Sequence, residues 1–266
     1  WMTRIGAACG GPHGTPPWAL NIVVHRTYPR LAGELDLILK HKPALVITAL
    51  GSPANVIEAV HSYGGLVFAD VNSVRFARKA AEAGVDGLIL VSAGAGGHCG
   101  PLAGFAFLPE VRRFWDGPIV LAGAISDGRA VRAAEVLGAD LAYVGTRFIA
   151  AEESMAPADY HKLLVEAGAE DVMITDRVSG VPANFLIASM ERVGFDPDAV
   201  ARHDKIDFSD DPHDDAKAWK DIWAAGQGVE PLAAIAARLR EEYAAAVAEG
   251  RRPNRWLDTE TSAAAE

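Results

Sequence analysis

Short aliphatic and β-branched runs recur along the chain with longer mixed stretches between them. Six are legible: Trp18 to Val24, Leu45 to Thr48, Leu66 to Asp70, Gly87 to Val91, Ile119 to Ala122 and Leu141 to Gly145. A strand with one face in water alternates apolar and polar positions, whereas these runs are nearly continuous. Such strands must be covered on both faces, as in a parallel sheet with helices packed against it. The stretches between supply the helices, clearest at Val74 to Ala83 and Gly128 to Leu137. Each strand-to-strand step is about 20 to 30 residues, the length of a βα unit.

Two architectures accommodate this series: a doubly wound open sheet and a (β/α)8 barrel. Glycine-containing turns after the last two runs favour the barrel. A barrel needs eight strands and six are legible, while the chain opens on Trp1 and Met2 in what reads as a helix end. The expected fold is therefore a TIM-type (β/α)8 barrel lacking its first two βα units, with a C-terminal helical extension. Residues 1–150 form the barrel portion and residues 151–250 the extension packing on it, with helices at Pro157 to Ala167 and Met190 to Val193. From Pro231 to Ala248, the positions Leu232, Ile235, Leu239 and Tyr243 fall three and four apart on one helix face. That face is expected to pack on the barrel or a partner subunit. The acidic stretch Asp207 to Asp215 reads as a solvated loop, with calcium binding the weaker alternative. Residues 251–266 lack periodicity and are expected to form a disordered tail.

A chain of 266 residues with 50% hydrophobic content can bury a sizeable core. No apolar stretch approaches the ~20 residues that span a bilayer and no signal segment opens the chain, so a cytoplasmic enzyme without membrane contact is expected. The net charge of −10 argues against a grip on nucleic acid, which needs clustered Lys and Arg. A phosphate group would have to be held by backbone donors instead. Cys9 and Cys99 lie far apart without metal-type spacing, and neither a disulfide framework nor a zinc site follows. His13, His25, His41, His61, His161, His203 and His213 show no paired spacing for a metal.

The most informative segment is Ser92-Ala93-Gly94-Ala95-Gly96-Gly97-His98-Cys99-Gly100, directly after the fourth run. Small residues let a backbone approach a flat ligand closely, and one imidazole stands where barrels keep their chemistry. The competing account is a glycine loop with an incidental histidine. After the next two strands come Ala122-Gly123-Ala124-Ile125-Ser126-Asp127-Gly128-Arg129 and Gly145-Thr146-Arg147-Phe148. These are the two places where barrels assemble a phosphate pocket from exposed N–H groups and a helix N-terminus. Either alone reads equally well as a tight turn; their spacing, one βα unit apart and downstream of His98, favours the pocket.

In this order the three segments resemble the motifs of the nitronate monooxygenase family, formerly called 2-nitropropane dioxygenases. Trp223-Ala224-Ala225-Gly226-Gln227-Gly228-Val229 is similar to the family's C-terminal Ala-Gly-Gln segment. The likeness runs from about Trp18 to about Tyr243. It implies an FMN-dependent barrel in which His98 matches the catalytic histidine, and Gly96 and Gly97 lie beside the flavin. Ala122, Gly123, Ala124, Gly145 and Thr146 match positions that hold the flavin phosphate, and Asn21 a strand-end asparagine near the isoalloxazine ring. Gln227, between glycines in that segment, is a candidate to reach the active-site mouth and bind the cofactor, although a helix C-cap turn explains those glycines equally well. The implied reaction is oxidation of a nitroalkane or nitronate with O2 to a carbonyl compound and nitrite.

Two departures stand out. The family's first strand and its glycine-and-methionine flavin loop have no counterpart, and Asp70 stands about where some relatives place a phosphate-side lysine. Two other readings therefore stay open: an NAD(P)H-dependent reductase of quinones or enoyl thioesters on the same fold, and a flavin-free binding or structural remnant. A homodimer would cover the edge left by the absent strands. Asn184 and Tyr160 are expected to make local hydrogen bonds, and Trp219 and Trp223 to serve packing before substrate stacking.

Overall fold

The computed structural model describes residues 1–9, 18–199, 223 and 229–250. Gln227, Trp219, the acidic stretch Asp207 to Asp215 and residues 251–266 lie outside the described residues. From the N-terminus run α1 (Met2–Ala8), β1 (Ala19–Val23), α2 (Leu31–His41), β2 (Leu45–Ala49), α3 (Ala54–His61), β3 (Leu66–Val71), α4 (Val74–Ala83), β4 (Gly87–Val91) and β5 (Gly97–His98). Then follow α5 (Gly104–Arg112), β6 (Ile119–Ala122), α6 (Gly128–Leu137), β7 (Leu141–Tyr143), α7 (Thr146–Ile149), α8 (Ala158–Glu166), β8 (Val172–Thr175), β9 (Ala183–Leu186), α9 (Ile187–Arg192) and α10 (Leu232–Glu249).

The main sheet has the order β1-β2-β3-β4-β6-β7, every pair parallel. A sequential order without reversal is that of a barrel wall and excludes the doubly wound sheet. Alternate residues of each strand divide between two cores. Val46, Val67, Leu88, Leu90, Ile119 and Leu121 pack under the helices, while Ile47, Phe68, Ile89, Val120 and Ala122 form an inner layer. This twofold burial is why the runs carry few polar residues.

The inner layer is incomplete. Among the described residues β1 and β7 are each paired along one edge only. Leu66, Leu141 and Tyr143 remain 47%, 61% and 41% exposed. The fold is therefore a partial barrel.

The ends of α4 and α6 follow from local chemistry. Ser73 Oγ accepts from Phe76 N–H and Asp127 Oδ1 from Ala130 N–H, capping the two N-termini. Gly84 and Gly138 close the C-termini in the left-handed region, at φ 91° and 109°.

Beyond residue 150 the chain is not purely helical, contrary to the sequence expectation. β8 and β9 pair antiparallel, and β5 joins them in the order β5-β9-β8. This second sheet ties the extension to the loop after β4. Helix α10 lies against α6, where a Cβ on Gly128 would meet Glu242 Cβ at 2.6 Å. Ile235 is its fully buried residue, with Leu239 and Tyr243 half-buried, while Leu232 is exposed.

Candidate functional site

The C-terminal ends of the parallel strands open into a cavity of about 1540 Å³. The strands contribute Asn21, Asp70, Val91, Ala122 and Tyr143, and the loops after β4, β6 and β7 contribute Ala93 to Gly96, Gly123, Ala124, Gly145 and Thr146. His98 reaches the cavity from β5. The cavity thus gathers Asn21, Gly96, His98, Ala122, Gly123, Ala124, Gly145 and Thr146; Gly97 is buried beside it in β5.

The three loops are locked into one another. The Ala124 N–H donates to the Gly94 carbonyl at 2.8 Å, and Ser92 donates to the Ala122 carbonyl through both its N–H and its Oγ. A Cβ on Gly94 would lie 2.6 Å from Ala124 Cβ, and one on Gly123 2.9 Å from Ala95 N. A Cβ on Gly96 would overlap Thr146 Oγ1. The glycines at 94, 96 and 123 therefore serve loop-to-loop packing, a reason that sequence alone did not reveal. Gly145 differs: a Cβ there would meet nothing within 4 Å, so bare backbone borders the cavity.

The structure corrects one detail of the phosphate pocket. The N-terminus of α6 is occupied by the protein's own carboxylates, Asp127 on Ala130 N–H at 2.7 Å and Glu242 on Gly128 N–H at 2.9 Å. Two carboxylates there disfavour a third anion. The Ala124 N–H is likewise engaged, on the Gly94 carbonyl, while the residue still lines the cavity. Gly145 and Thr146 open α7, and the first N–H groups of a helix have no partner within it.

His98 is half-buried, and its Nε2 lies 3.2 Å from Ser179 Oγ. Burial pushes its pKa below the ordinary histidine value. The loop carrying it is held from the extension: Asn184 Nδ2 donates to the Ala93 and Ala95 carbonyls at 2.8 and 2.7 Å, and Cys99 N–H to the Pro182 carbonyl at 2.9 Å. Asn184 is thus a long-range clamp, where a local hydrogen bond was expected.

Asp70 was noted in the sequence only as a departure from relatives. Burial raises its carboxyl to about 7, and the Asn21 carboxamide beside it opposes the rise. Its Oδ1 is buried without a hydrogen-bond partner among the described residues. An orphaned buried oxygen bordering a cavity calls for a donor from a ligand or for a proton of its own.

Arg147 is 4% exposed and pairs with Glu230 at 2.8 Å, tying α7 to the segment before α10. Tyr160 and Trp223 stack at 4.8 Å in a buried cluster with Leu164 and Leu186, and Arg192 covers the indole. Trp223 is therefore a packing residue. Among the described residues no helix is long and apolar enough to cross a membrane.

The nitronate monooxygenase family model matches residues 16–223. The nitronate monooxygenase of Paraburkholderia phytofirmans is 30% identical over 207 residues, covering 74% of this chain and 56% of its own. The (3aS,4S,5R,7aS)-5-hydroxy-7a-methyl-1-oxo-octahydro-1H-indene-4-carboxyl-CoA dehydrogenase of Rhodococcus jostii is 30% identical over 165 residues, covering 60% of this chain and 47% of its own. The chain spans about half the length of the curated relatives it matches. Among solved structures, the nitroalkane oxidase of Streptomyces ansochromogenes has a TM-score of 0.75, covering 93% of this chain and 85% of its own at 23% identity. FabK of Thermotoga maritima has a TM-score of 0.73 over 94% of this chain and 82% of its own at 24% identity. Both carry the same barrel-type fold.

Proposed function

The chain belongs to the nitronate monooxygenase family, and from that premise we propose that it is an FMN-dependent oxidoreductase converting nitroalkanes or nitronates and O2 to carbonyl compounds and nitrite, with His98 as the base. The observation that carries the reading is His98 itself. Its pKa is lowered by burial, and it faces a large cavity at the C-terminal mouth of a parallel sheet. A base must be unprotonated at working pH, and burial, which disfavours the charged imidazolium, serves that need.

The residues present fit a flavin. Bare backbone at Gly145 admits a phosphate, with the amides of Gly145 and Thr146 as donors and Gly123 in the adjoining turn. The orphaned Asp70 Oδ1, beside Asn21, suits a ring system carrying an N–H. Bound FMN supplies the redox chemistry. The chain's own part is to orient the substrate, to hold the loops of β4, β6 and β7 in one arrangement, and to move one proton from the substrate's α-carbon to His98. Gln227, outside the described residues, is proposed as a cofactor-binding residue on the family resemblance alone, and no nucleic acid or membrane partner is invoked.

The test compares kcat/KM of wild type and His98→Asn on a neutral nitroalkane and on its preformed nitronate, with flavin content measured. The neutral substrate should lose about two to four orders of magnitude and the nitronate much less, since a positioned general base contributes about that much. Equal collapse on both substrates with FMN still bound, or full activity on the neutral form, removes the base role. A second reading, NAD(P)H-dependent turnover of a thioester, is favoured by the likeness to the carboxyl-CoA dehydrogenase; rapid bleaching of the flavin by NADH selects it. A colourless chain that takes up no FMN selects the flavin-free reading.

A further inference from the structure

Three polar side chains stand on the inner face of the main sheet. Asn21 is in register with Ile47, Asp70 with Ile89 and Tyr143 with Ala122, and all three partners belong to the apolar inner layer. Residues in register on adjacent strands share a face, so Asn21, Asp70 and Tyr143 point inward, and each lines the cavity. They form one cluster: the Asn21 carboxamide hydrogen-bonds the Asp70 carboxyl, and the Asp70 charge acts on the Tyr143 hydroxyl.

Each member has a definite hydrogen-bonding sense. Asp70 Oδ1 has no partner among the described residues, and a half-turn about the terminal torsion exchanges the two oxygens, so either can meet a ligand. The other titratable side chains of the cavity are His25, Lys79, His98, Cys99 and Arg147. None of them is a cause of the rise of Asp70 to about 7, which comes from burial with Asn21 opposing it. Lacking a cation, the charged carboxyl depends on neutral donors. Burial, and then the Asp70 charge, push the Tyr143 pKa above the ordinary tyrosine value, so its hydroxyl keeps its hydrogen at neutral pH. A carboxamide has two N–H groups, so the contact with Asp70 leaves Asn21 a second to give. The cluster therefore presents one acceptor between two donors.

We propose that Asn21, Asp70 and Tyr143 form a subsite for a cyclic imide edge, which in FMN is the ring N–H between two carbonyls: the Asp70 carboxylate accepts the N–H, and Asn21 and Tyr143 donate to the carbonyls. This rests on the reading of the cavity as an FMN site. An N–H donor favours the charged form of a carboxyl, so cofactor binding is coupled to loss of the Asp70 proton. The carboxyl O–H bond breaks, its proton passes to the solvent buffer, and the ring keeps its own N–H. Affinity for FMN should accordingly weaken as pH falls below about 7, where that proton must first be removed.

The test is titration calorimetry of the full chain, stripped of cofactor, with FMN and with 3-methyl-FMN, in which a methyl group replaces the hydrogen of the ring N–H. Wild type should bind FMN about ten- to a hundredfold more tightly than 3-methyl-FMN, the span expected for a hydrogen bond to a charged group. Asp70→Ala, which removes the acceptor and makes room for the methyl, should bind the two alike. Tyr143→Phe should weaken FMN about three- to tenfold, as for a neutral hydrogen bond. At pH 6, in two buffers of different ionisation enthalpy, wild type should release about one proton more per FMN than Asp70→Asn; the FMN phosphate titrates in both and cancels. Equal affinity of wild type for the two flavins, selectivity that survives in Asp70→Ala, or proton uptake in place of release overturns the imide subsite and leaves FMN binding standing. Failure of wild type to bind FMN at all removes the cofactor reading and the subsite together.

Discussion

A carboxyl buried on the inner face of a sheet costs stability in its charged form. Asp70 is raised to about 7 by burial, against an ordinary value of 3.8. The folded chain therefore holds this proton more tightly than the unfolded chain, and between those two pH values the folded state binds more protons. Stability from this group falls as pH rises through that window, and the cost is fully present above about pH 7. Asp70→Asn removes the ionisation while keeping size and a hydrogen-bonding group. Its stability relative to wild type should rise between pH 4 and pH 8 by a few kcal/mol, roughly 1.4 kcal/mol per unit of displacement. Urea denaturation of both proteins at the two pH values checks this, and a constant difference contradicts it. The same scale shows what sequence could reveal. His98 was legible because it stands alone among glycines after a strand. Asp70 was legible only as an odd residue, since its orphaned oxygen depends on three strands brought side by side. Ser179 was silent, because 81 residues separate it from the histidine it meets.

At the scale of elements, α4 and α6 were legible to the residue as stretches between strands, and the structure shows what fixes their ends: serine or aspartate at one and glycine at the other. Helix α10 was legible from its three-and-four spacing. Strands β8 and β9 were not, because four residues are too few for a period to register and the flanking stretches are helical in pattern. The contact between α6 and α10 also lay beyond the sequence. Gly128 was assigned to a phosphate turn, yet its position is set by the close approach of α10. Gly128→Ala puts a methyl 2.6 Å from Glu242 Cβ and closer still to the backbone of Leu239 and Tyr243. Backbone cannot yield as a flexible side chain does, so the helices must separate, losing the Glu242 cap on Gly128 N–H as well. The expected destabilisation is about 1–3 kcal/mol, the usual range for overpacking. Amide exchange should quicken in α10 before it quickens in β2 to β4; unchanged protection in α10 speaks against the contact.

For the whole molecule, a parallel barrel wall is stable when each strand has two neighbours and the inner layer is filled from every side. Here the wall has six strands, with β1 and β7 each presenting an unpaired row of N–H and C=O groups among the described residues. On the face that a closed barrel buries, Leu66 of β3 and Leu141 and Tyr143 of the edge strand β7 are 47%, 61% and 41% exposed. An open edge next to exposed apolar side chains is a template for pairing with a second copy. The strand count was legible in the sequence. The exposure was not, because the inward runs read as buried whether or not the barrel closes. The chain should therefore self-associate at micromolar concentrations, through its edges and inner face. The net charge of −10 opposes close approach, so added salt should strengthen association by screening. Sedimentation velocity over a concentration series measures the mass. Leu141→Lys, on edge strand β7, places a charge where a partner strand would dock and should shift the chain towards monomer while leaving the outer core under the helices intact. A monodisperse monomer at high concentration and high salt would mean that the open edge is protected by something other than a second copy.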